Sequence, residues 1–75
     1  MMRLTGVITK IIRAKGFAFI LDEAGQERFL HVDDFFDPDD FDRVKTGEMI
    51  NFEPRRRTGS RGNGLGTRDV RRTDE

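Results

Sequence analysis

The residues from 15 to 32, KGFAFILDEAGQERFLHV, constrain the fold of this chain more than any other stretch. They predict two strands, at 16–21 and 27–32, joined by a turn in which Gly25 suits a positive φ. Side chains of a strand alternate between its two faces, and in both strands each alternating set is apolar. One set can line a core. The opposite face therefore needs a separate explanation.

That opposite face is aromatic. It carries Phe17 and Phe19 on the first strand, and Phe29 and His31 on the second. Burial of one phenylalanine is worth roughly 1.5–3 kcal/mol, so an exposed patch of this kind usually marks a binding site. The basic residues near it in the sequence are Lys10, Arg13 and Lys15. An aromatic surface with basic neighbours is typical of single-stranded nucleic-acid binding, whereas a sandwich strand buried on both faces is the structural alternative.

Three more strands are predicted from alternation and β-branched residues, at 3–12, 48–53 and 67–72. Gly6, inside the first of them, suggests a bulge or a bend. The arginine- and glycine-rich residues 54–66 predict a loop.

The long connection 33–47 contains Pro38, which argues against a continuous strand or a long helix. Asp33 can cap a single helical turn over residues 34–37. Six aspartates in 33–42 raise the alternative of a metal loop, but their spacing differs from that of a calcium-binding EF-hand. We therefore expect a solvated loop and no metal site.

Five short strands without a long helix predict an all-β chain, either a five-stranded antiparallel barrel or a small sandwich. The 75 residues make one domain, with its core at about 3–72 and a mobile loop at about 54–65. Val44 and Met49 are expected to plug one end of the core. The other predicted core residues are Ile8, Ile11, Ala18, Ile20, Leu30, Val32, Ile50, Phe52 and Val70.

The composition narrows the function. The chain has no cysteine, one histidine and one serine, so a disulfide scaffold is excluded and a nucleophile–base pair has few candidates. No apolar run approaches the length of a membrane span or a signal peptide. We therefore predict a cytoplasmic protein that is not an enzyme and has no catalytic residues, no cofactor and no membrane partner.

The net charge of zero conceals an asymmetry along the chain. Residues 33–42 carry six Asp and no basic residue, whereas residues 55–72 carry seven Arg and one Asp. An extreme isoelectric point would have indicated a nucleic-acid partner directly, and the value of about 6.6 does not. A local basic surface remains compatible with this balance.

Two motifs at a characteristic spacing resemble the cold-shock domain family. KGFAFI, from Lys15, is similar to the first ribonucleoprotein motif of that family, usually K-G-F-G-F-I, and RFLHV, from Arg28, is similar to the second, usually V-F-V-H-F. FDRVKTGEMINF, from Phe41, resembles a third family segment, and TRDV lies where the family has A-x-N-V. The resemblance covers residues 5 to 70 with small insertions.

The resemblance implies an OB-fold barrel that binds single-stranded RNA or DNA with low sequence specificity, and a possible role as an RNA chaperone or cold-shock regulator. It assigns base stacking to the aromatic face and to Phe41, and phosphate contact to Lys15. Lys10 and the loop arginines Arg55 and Arg56 are expected to add phosphate contacts. The nucleic-acid-binding residues predicted in this way are Lys10, Lys15, Phe17, Phe19, Phe29, His31, Phe41, Arg55 and Arg56.

The chain departs from the family pattern at four positions. Lys10 stands at the family's tryptophan, Ile11 and Ile12 follow in place of phenylalanine and asparagine, and Val32 replaces the phenylalanine after the histidine. Loss of two stacking rings is worth a few kcal/mol, or up to about a thousandfold or more in affinity. We therefore expect weaker binding or a changed base preference.

These departures and the acidic connection leave a second interpretation open, in which the same fold serves as a protein-interaction or homodimerisation module. A degenerate domain kept for regulation is a third. We expect a monomer under the first interpretation and a homodimer that buries the aromatic face under the second.

Overall fold

The computed structural model describes residues 2–57 and 64–73 of the chain. Its strands are β1 (Leu4–Ile12), β2 (Phe17–Asp22), β3 (Glu27–His31), β4 (Met49–Arg57) and β5 (Gly64–Arg72), and its three 3-10 helices span Arg13–Lys15, Val32–Asp34 and Pro38–Asp42. The strands form one antiparallel sheet in the order β3-β2-β1-β4-β5. The prediction of an all-β chain with five antiparallel strands is confirmed.

The order of the strands leaves β3 and β5 at the two edges of the sheet, and no backbone ladder joins them among the described residues. A side chain does reach across. Arg28 of β3 donates from Nη1 to the carbonyl oxygen of Gly66 in β5, at 2.8 Å. The sheet therefore curls far enough for one arginine to connect its edges.

The core lies on the concave side of this sheet. Its buried side chains are Ile8, Ala18, Ile20, Leu30, Phe35, Phe41, Val44, Ile50, Phe52 and Val70. Seven of the predicted core residues are fully buried, and Val44 is buried as expected. Ile11 and Val32 are half-buried and pack against the cluster.

The prediction that Met49 plugs the core is wrong. Met49 pairs with Val7 across β1 and β4, next to the buried pair of Gly6 and Ile50. Because neighbouring residues of a strand point to opposite faces, Met49 lies on the outer face, where it is 47% exposed.

Gly6 is not the site of a bulge, one of the two features predicted for it. A Cβ atom at this position would lie 3.0 Å from Cδ1 of Ile20 and 3.2 Å from the carbonyl oxygen of Leu21, so glycine is required by close packing. The bulge of β1 lies three residues later, between Ile8 and Lys10, where Thr9 is the extra residue.

The predicted loop at 54–66 is shorter than the composition suggested. Pro54 to Arg57 continue β4 and pair with Thr67 to Gly64 of β5, which begins earlier than predicted. Arginine and glycine are weak strand formers, but the ladder between two antiparallel strands requires only their backbones. The remaining positions of the predicted mobile loop, 58–63, lie outside the described residues.

The connection between β3 and β4 folds into two 3-10 helices in place of the single turn predicted at 34–37. The first is capped by His31 and the second by Asp37, whose side chain accepts from the N–H of Asp39. Between them the chain runs beside β5, where Phe35 bridges to Val70 and points into the core. None of the helices in the described part of the chain has the length and apolarity that spanning a bilayer requires.

Candidate nucleic-acid interface

The outer face of β1, β2 and β3 is organised in two cross-strand rows. In the first, Phe29 pairs with Phe19, which pairs with Lys10. The second row runs from His31 through Phe17 to Ile12. Since paired residues of antiparallel strands share a face, the sheet brings the predicted aromatic set together on one surface.

The bulge at Thr9 determines that Lys10 belongs to this surface. Gly6 and Ile8 point inward, so uninterrupted alternation would also send Lys10 into the core and Ile11 outward. The extra residue shifts the alternation of inward and outward side chains by one position. The hydroxyl of Thr9 donates to the carbonyl oxygen of Phe19 at 3.2 Å. Lys10 is consequently exposed beside Phe19, while Ile11 packs on the core.

The three phenylalanine rings form a single half-buried cluster on the outer face. The ring centroids of Phe17 and Phe29 lie 5.2 Å apart with an interplanar angle of 36°. Phe19 stands nearly perpendicular to both, at 80° to Phe17 and 78° to Phe29. Edge-to-face contacts of this kind stabilise the cluster. A flat base that lies on Phe17 or Phe29 therefore meets Phe19 at its edge, and the surface offers two similar ring orientations, not three.

His31 is both part of this surface and a helix cap. Its ring Nδ1 accepts from the backbone N–H of Asp33 at 3.0 Å. The backbone N–H of His31 donates to Oδ2 of Asp34 at 2.8 Å. Because Nδ1 serves as an acceptor, the neutral ring carries its proton on Nε2. The ring therefore presents a hydrogen-bond donor away from the turn.

Lys15 is held at the rim by the short helix that links β1 to β2. This helix ends at Gly16, whose φ of +75° is left-handed and whose N–H donates to the carbonyl oxygens of Ile12 and Arg13. The carbonyl oxygen of Gly16 in turn accepts from the N–H of Val32 at 2.9 Å. Glycine is thus explained here by backbone conformation.

Arg55 is brought to the other rim by the extension of β4 beyond the predicted strand. Its Nη2 lies 3.8 Å from Oδ1 of Asp34, which is itself nearly buried. The open groove between these rims has a volume of about 880 Å³, and it is lined by Lys15, Phe17, Phe19, Phe29, His31, Asp33, Asp34 and Arg55. Two cations and two carboxylates share this lining, so the groove is close to neutral.

The structure does not bring Phe41 and Arg56 to this groove. Phe41 is only 3% exposed and packs edge-to-face on Phe35, with ring centroids 6.0 Å apart, so the prediction that it stacks a base is wrong. Arg56 lines a second, smaller groove with Arg28, Pro54 and Leu65, and Arg55 borders both grooves.

Arg13, the third basic residue close to the aromatic strands in the sequence, holds the fold together and does not line the groove. Its guanidinium donates to the carbonyl oxygens of Phe41 and Val44, both at 2.5 Å, and lies 5.9 Å from the centre of the Phe41 ring. Arg13 therefore attaches the connection between β3 and β4 to the end of β1 through these hydrogen bonds. Among the described residues, the basic side chains that line the groove are therefore Lys15 and Arg55, with Lys10 beside Phe19.

Asp33 and Asp34 are the groove residues that sequence reasoning missed. The composition of 33–42 predicts a solvated loop, but its first two aspartates directly follow the predicted strand 27–32 that carries His31. That adjacency was the available signal. Among the described residues, no group of three or more potential metal ligands forms in this acidic segment or elsewhere.

Comparison with known proteins gave no match to a family model and no match to a curated sequence.

Proposed function

We propose that this chain binds single-stranded nucleic acid, RNA foremost, by stacking bases on the outer face of β2 and β3. The single observation that carries the proposal is the groove itself. Three contacting phenylalanine rings and a histidine line it, and Lys15 and Arg55 lie at its rims. Unpaired bases stack on aromatic rings, and lysine and arginine hold the phosphates between them.

The proposal includes an OB-fold barrel of the cold-shock type. The strand order, the curl that lets Arg28 reach Gly66, and the motif resemblance support it. A chain that binds unpaired bases competes with base pairing within an RNA. An RNA-chaperone activity without ATP follows from the proposal.

The near neutrality of the groove argues for modest affinity. Phosphate contacts supply much of the affinity of most nucleic-acid-binding proteins, and here two carboxylates offset two cations. Stacking then has to carry a larger share of the binding free energy. Low affinity and a weak dependence on salt are the expected signature.

The test removes a flat ring without removing its bulk. Phe17→Leu and Phe29→Leu keep an apolar side chain but lose the aromatic face, and each is expected to weaken binding of a fluorescently labelled U-rich oligonucleotide about 5- to 150-fold in anisotropy titrations. Phe36→Leu is the matched control, because Phe36 is 66% exposed and does not line the groove. Equal affinities for all four proteins would refute the stacking assignment.

A polypeptide ligand or a second copy of the chain is the alternative occupant of the groove. The balanced lining favours it, since a neutral aromatic groove suits a peptide better than a polyanion. Light scattering separates the two proposals. A monomer that binds oligonucleotides supports the first, whereas a dimer that Phe17→Leu dissociates supports the second.

A further inference from the structure

Asp33 is the one carboxylate that the groove presents to a ligand. Its side chain is 86% exposed and lines the groove. Its backbone N–H is held by Nδ1 of His31, which fixes the residue beside the aromatic face. Within the described part of the chain, its carboxylate accepts no hydrogen bond, and its Oδ2 lies 3.6 Å from His31 Nδ1.

Asp34 differs from Asp33 although the two are adjacent. Its Oδ2 accepts from the N–H of His31 at 2.8 Å and from the hydroxyl of Thr67 at 3.3 Å, and its Oδ1 faces Arg55. This carboxylate is committed to holding three parts of the chain together. The groove therefore contains one structural carboxylate and one whose acceptor capacity is available.

An available carboxylate beside a stacking surface distinguishes bases by their edges. It can only accept hydrogen bonds. The exposed Watson–Crick edge of guanine presents two adjacent donors, N1–H and the 2-amino group, which match the two oxygens of a carboxylate. Uracil presents one donor between two carbonyl oxygens, which a carboxylate repels.

We infer that Asp33 makes the groove selective for guanine, reading its N1–H and 2-amino group while the base stacks on the neighbouring rings. This inference rests on the proposed function and adds a base preference to it. The Asp33 carboxylate also repels phosphate. It therefore favours a guanine at this position and disfavours a strand that offers it no donors.

The two effects give Asp33→Asn opposite consequences for two ligands. Asparagine keeps the size of the side chain, but it removes the charge and one of the two acceptors. Asp33→Asn is expected to weaken binding of the RNA pentamer UUGUU about fivefold or more. The same variant is expected to bind UUUUU more tightly than the unmodified protein does, because a negative charge has left the groove.

The experiment measures the affinity of UUUUU, UUGUU and UUIUU for the unmodified protein, for Asp33→Asn and for Asp39→Asn. Inosine keeps N1–H and lacks the 2-amino group, so UUIUU is expected to fall between the other two. Asp39 is an exposed aspartate of the same segment that does not line the groove, and its variant should keep the order of affinities.

Two results would overturn the inference. One is equal binding of UUGUU and UUUUU by the unmodified protein. The other is a guanine preference that survives in Asp33→Asn. In both cases the oligonucleotides still bind, so the proposed function stands. Absence of binding to any of the three pentamers would contradict the proposed function itself and the inference with it.

Discussion

Arg28 connects the two edge strands of the sheet through its side chain. It is 7% exposed, its Nε lies 2.6 Å from Oδ2 of Asp22, and its guanidinium stacks 5.5 Å from the centre of the Phe52 ring. Burial raises the pKa of Asp22, but hydrogen bonds from the N–H of Gln26, from Arg28 and from the N–H of Ala24, with the Arg28 charge, bring that pKa below its ordinary value of 3.8. The ionised carboxylate therefore stabilises the fold above pH 3.8, and this contribution is lost as acid protonates it.

Removal of Arg28 should leave that carboxylate buried without its cation. We expect Arg28→Met to lower the free energy of unfolding by about 3–5 kcal/mol in urea titrations near pH 7. Arg68→Met is the control, because Arg68 is 58% exposed in its pair with Glu53 and the loss there should stay below about 1 kcal/mol. Equal losses in the two variants would contradict the buried pair.

The phenylalanines show how far single residues could be predicted from the sequence. Alternation within two clear strands assigned Phe17, Phe19 and Phe29 to the outer face. Phe41 lies in a connection without a repeating pattern. Its burial depends on Phe35, which the local turns bring against it, and on Arg13, which is distant in the sequence. The family resemblance implied that Phe41 stacks on a base, whereas tertiary packing buries its ring in the core.

At the scale of elements, the turn between β1 and β2 sets where the aromatic strand begins. Gly16 ends the Arg13–Lys15 helix with a φ of +75°, and a Cβ atom there would lie 3.3 Å from Cγ1 of Val32. Both the backbone conformation and the contact disfavour any larger residue. This turn joins Lys15 on the groove rim to Phe17 in the groove wall.

Substitution of Gly16 should therefore lower the free energy of unfolding, because the cost comes from its left-handed backbone and not from lost burial. We expect Gly16→Ala to lower the free energy of unfolding by about 1–2 kcal/mol, measured by thermal or urea denaturation. Gly64→Ala serves as control, because Gly64 has no positive φ and nothing lies within 4 Å of its added Cβ. If Gly64→Ala lowered the free energy of unfolding as much as Gly16→Ala does, the left-handed conformation of Gly16 could not explain the loss.

The strands of the first hairpin were predictable and the second hairpin was not. Residues 16–21 and 27–32 alternate clearly and have a glycine turn between them, and β2 and β3 lie within one residue of those bounds. The arms of the second hairpin are Arg-rich in β4 and Gly-rich in β5, and neither composition favours a strand. The backbone ladder between β4 and β5 stabilises the two strands where their side chains do not. The longer β4 that results brings Arg55 to the groove.

At the scale of the whole molecule, opposite charges are interleaved more than the sequence suggested. The arginines of the last third are distributed among partners, with Arg72 on Glu48, Arg71 on Asp69 and Arg55 near Asp34. Of these three pairs, the one between Arg55 and Asp34 joins the acidic residues 33–42 to the basic residues 55–72. Each of these arginines therefore has a carboxylate nearby that offsets its charge.

This distribution predicts a shallow dependence of affinity on salt. With Lys10, Lys15 and Arg55 as the phosphate contacts, log K for a single strand should fall by about 2 per unit of log salt. Arg55→Gln should reduce the magnitude of the slope by about 0.7, whereas Arg68→Gln, whose side chain lies outside the groove, should leave the slope unchanged. A slope several times steeper would mean that arginines elsewhere carry the binding.

The most direct test of the account is an amide NMR titration of the protein with the pentamers UUUUU and UUGUU. Chemical-shift changes are expected to saturate and to centre on residues 15–19 and 29–33, with little change at Phe36 and Arg71, whose side chains contact each other and do not line the groove. Changes centred on Phe36 and Arg71, or none at millimolar oligonucleotide, would contradict the claim that the outer face of β2 and β3 binds unpaired bases.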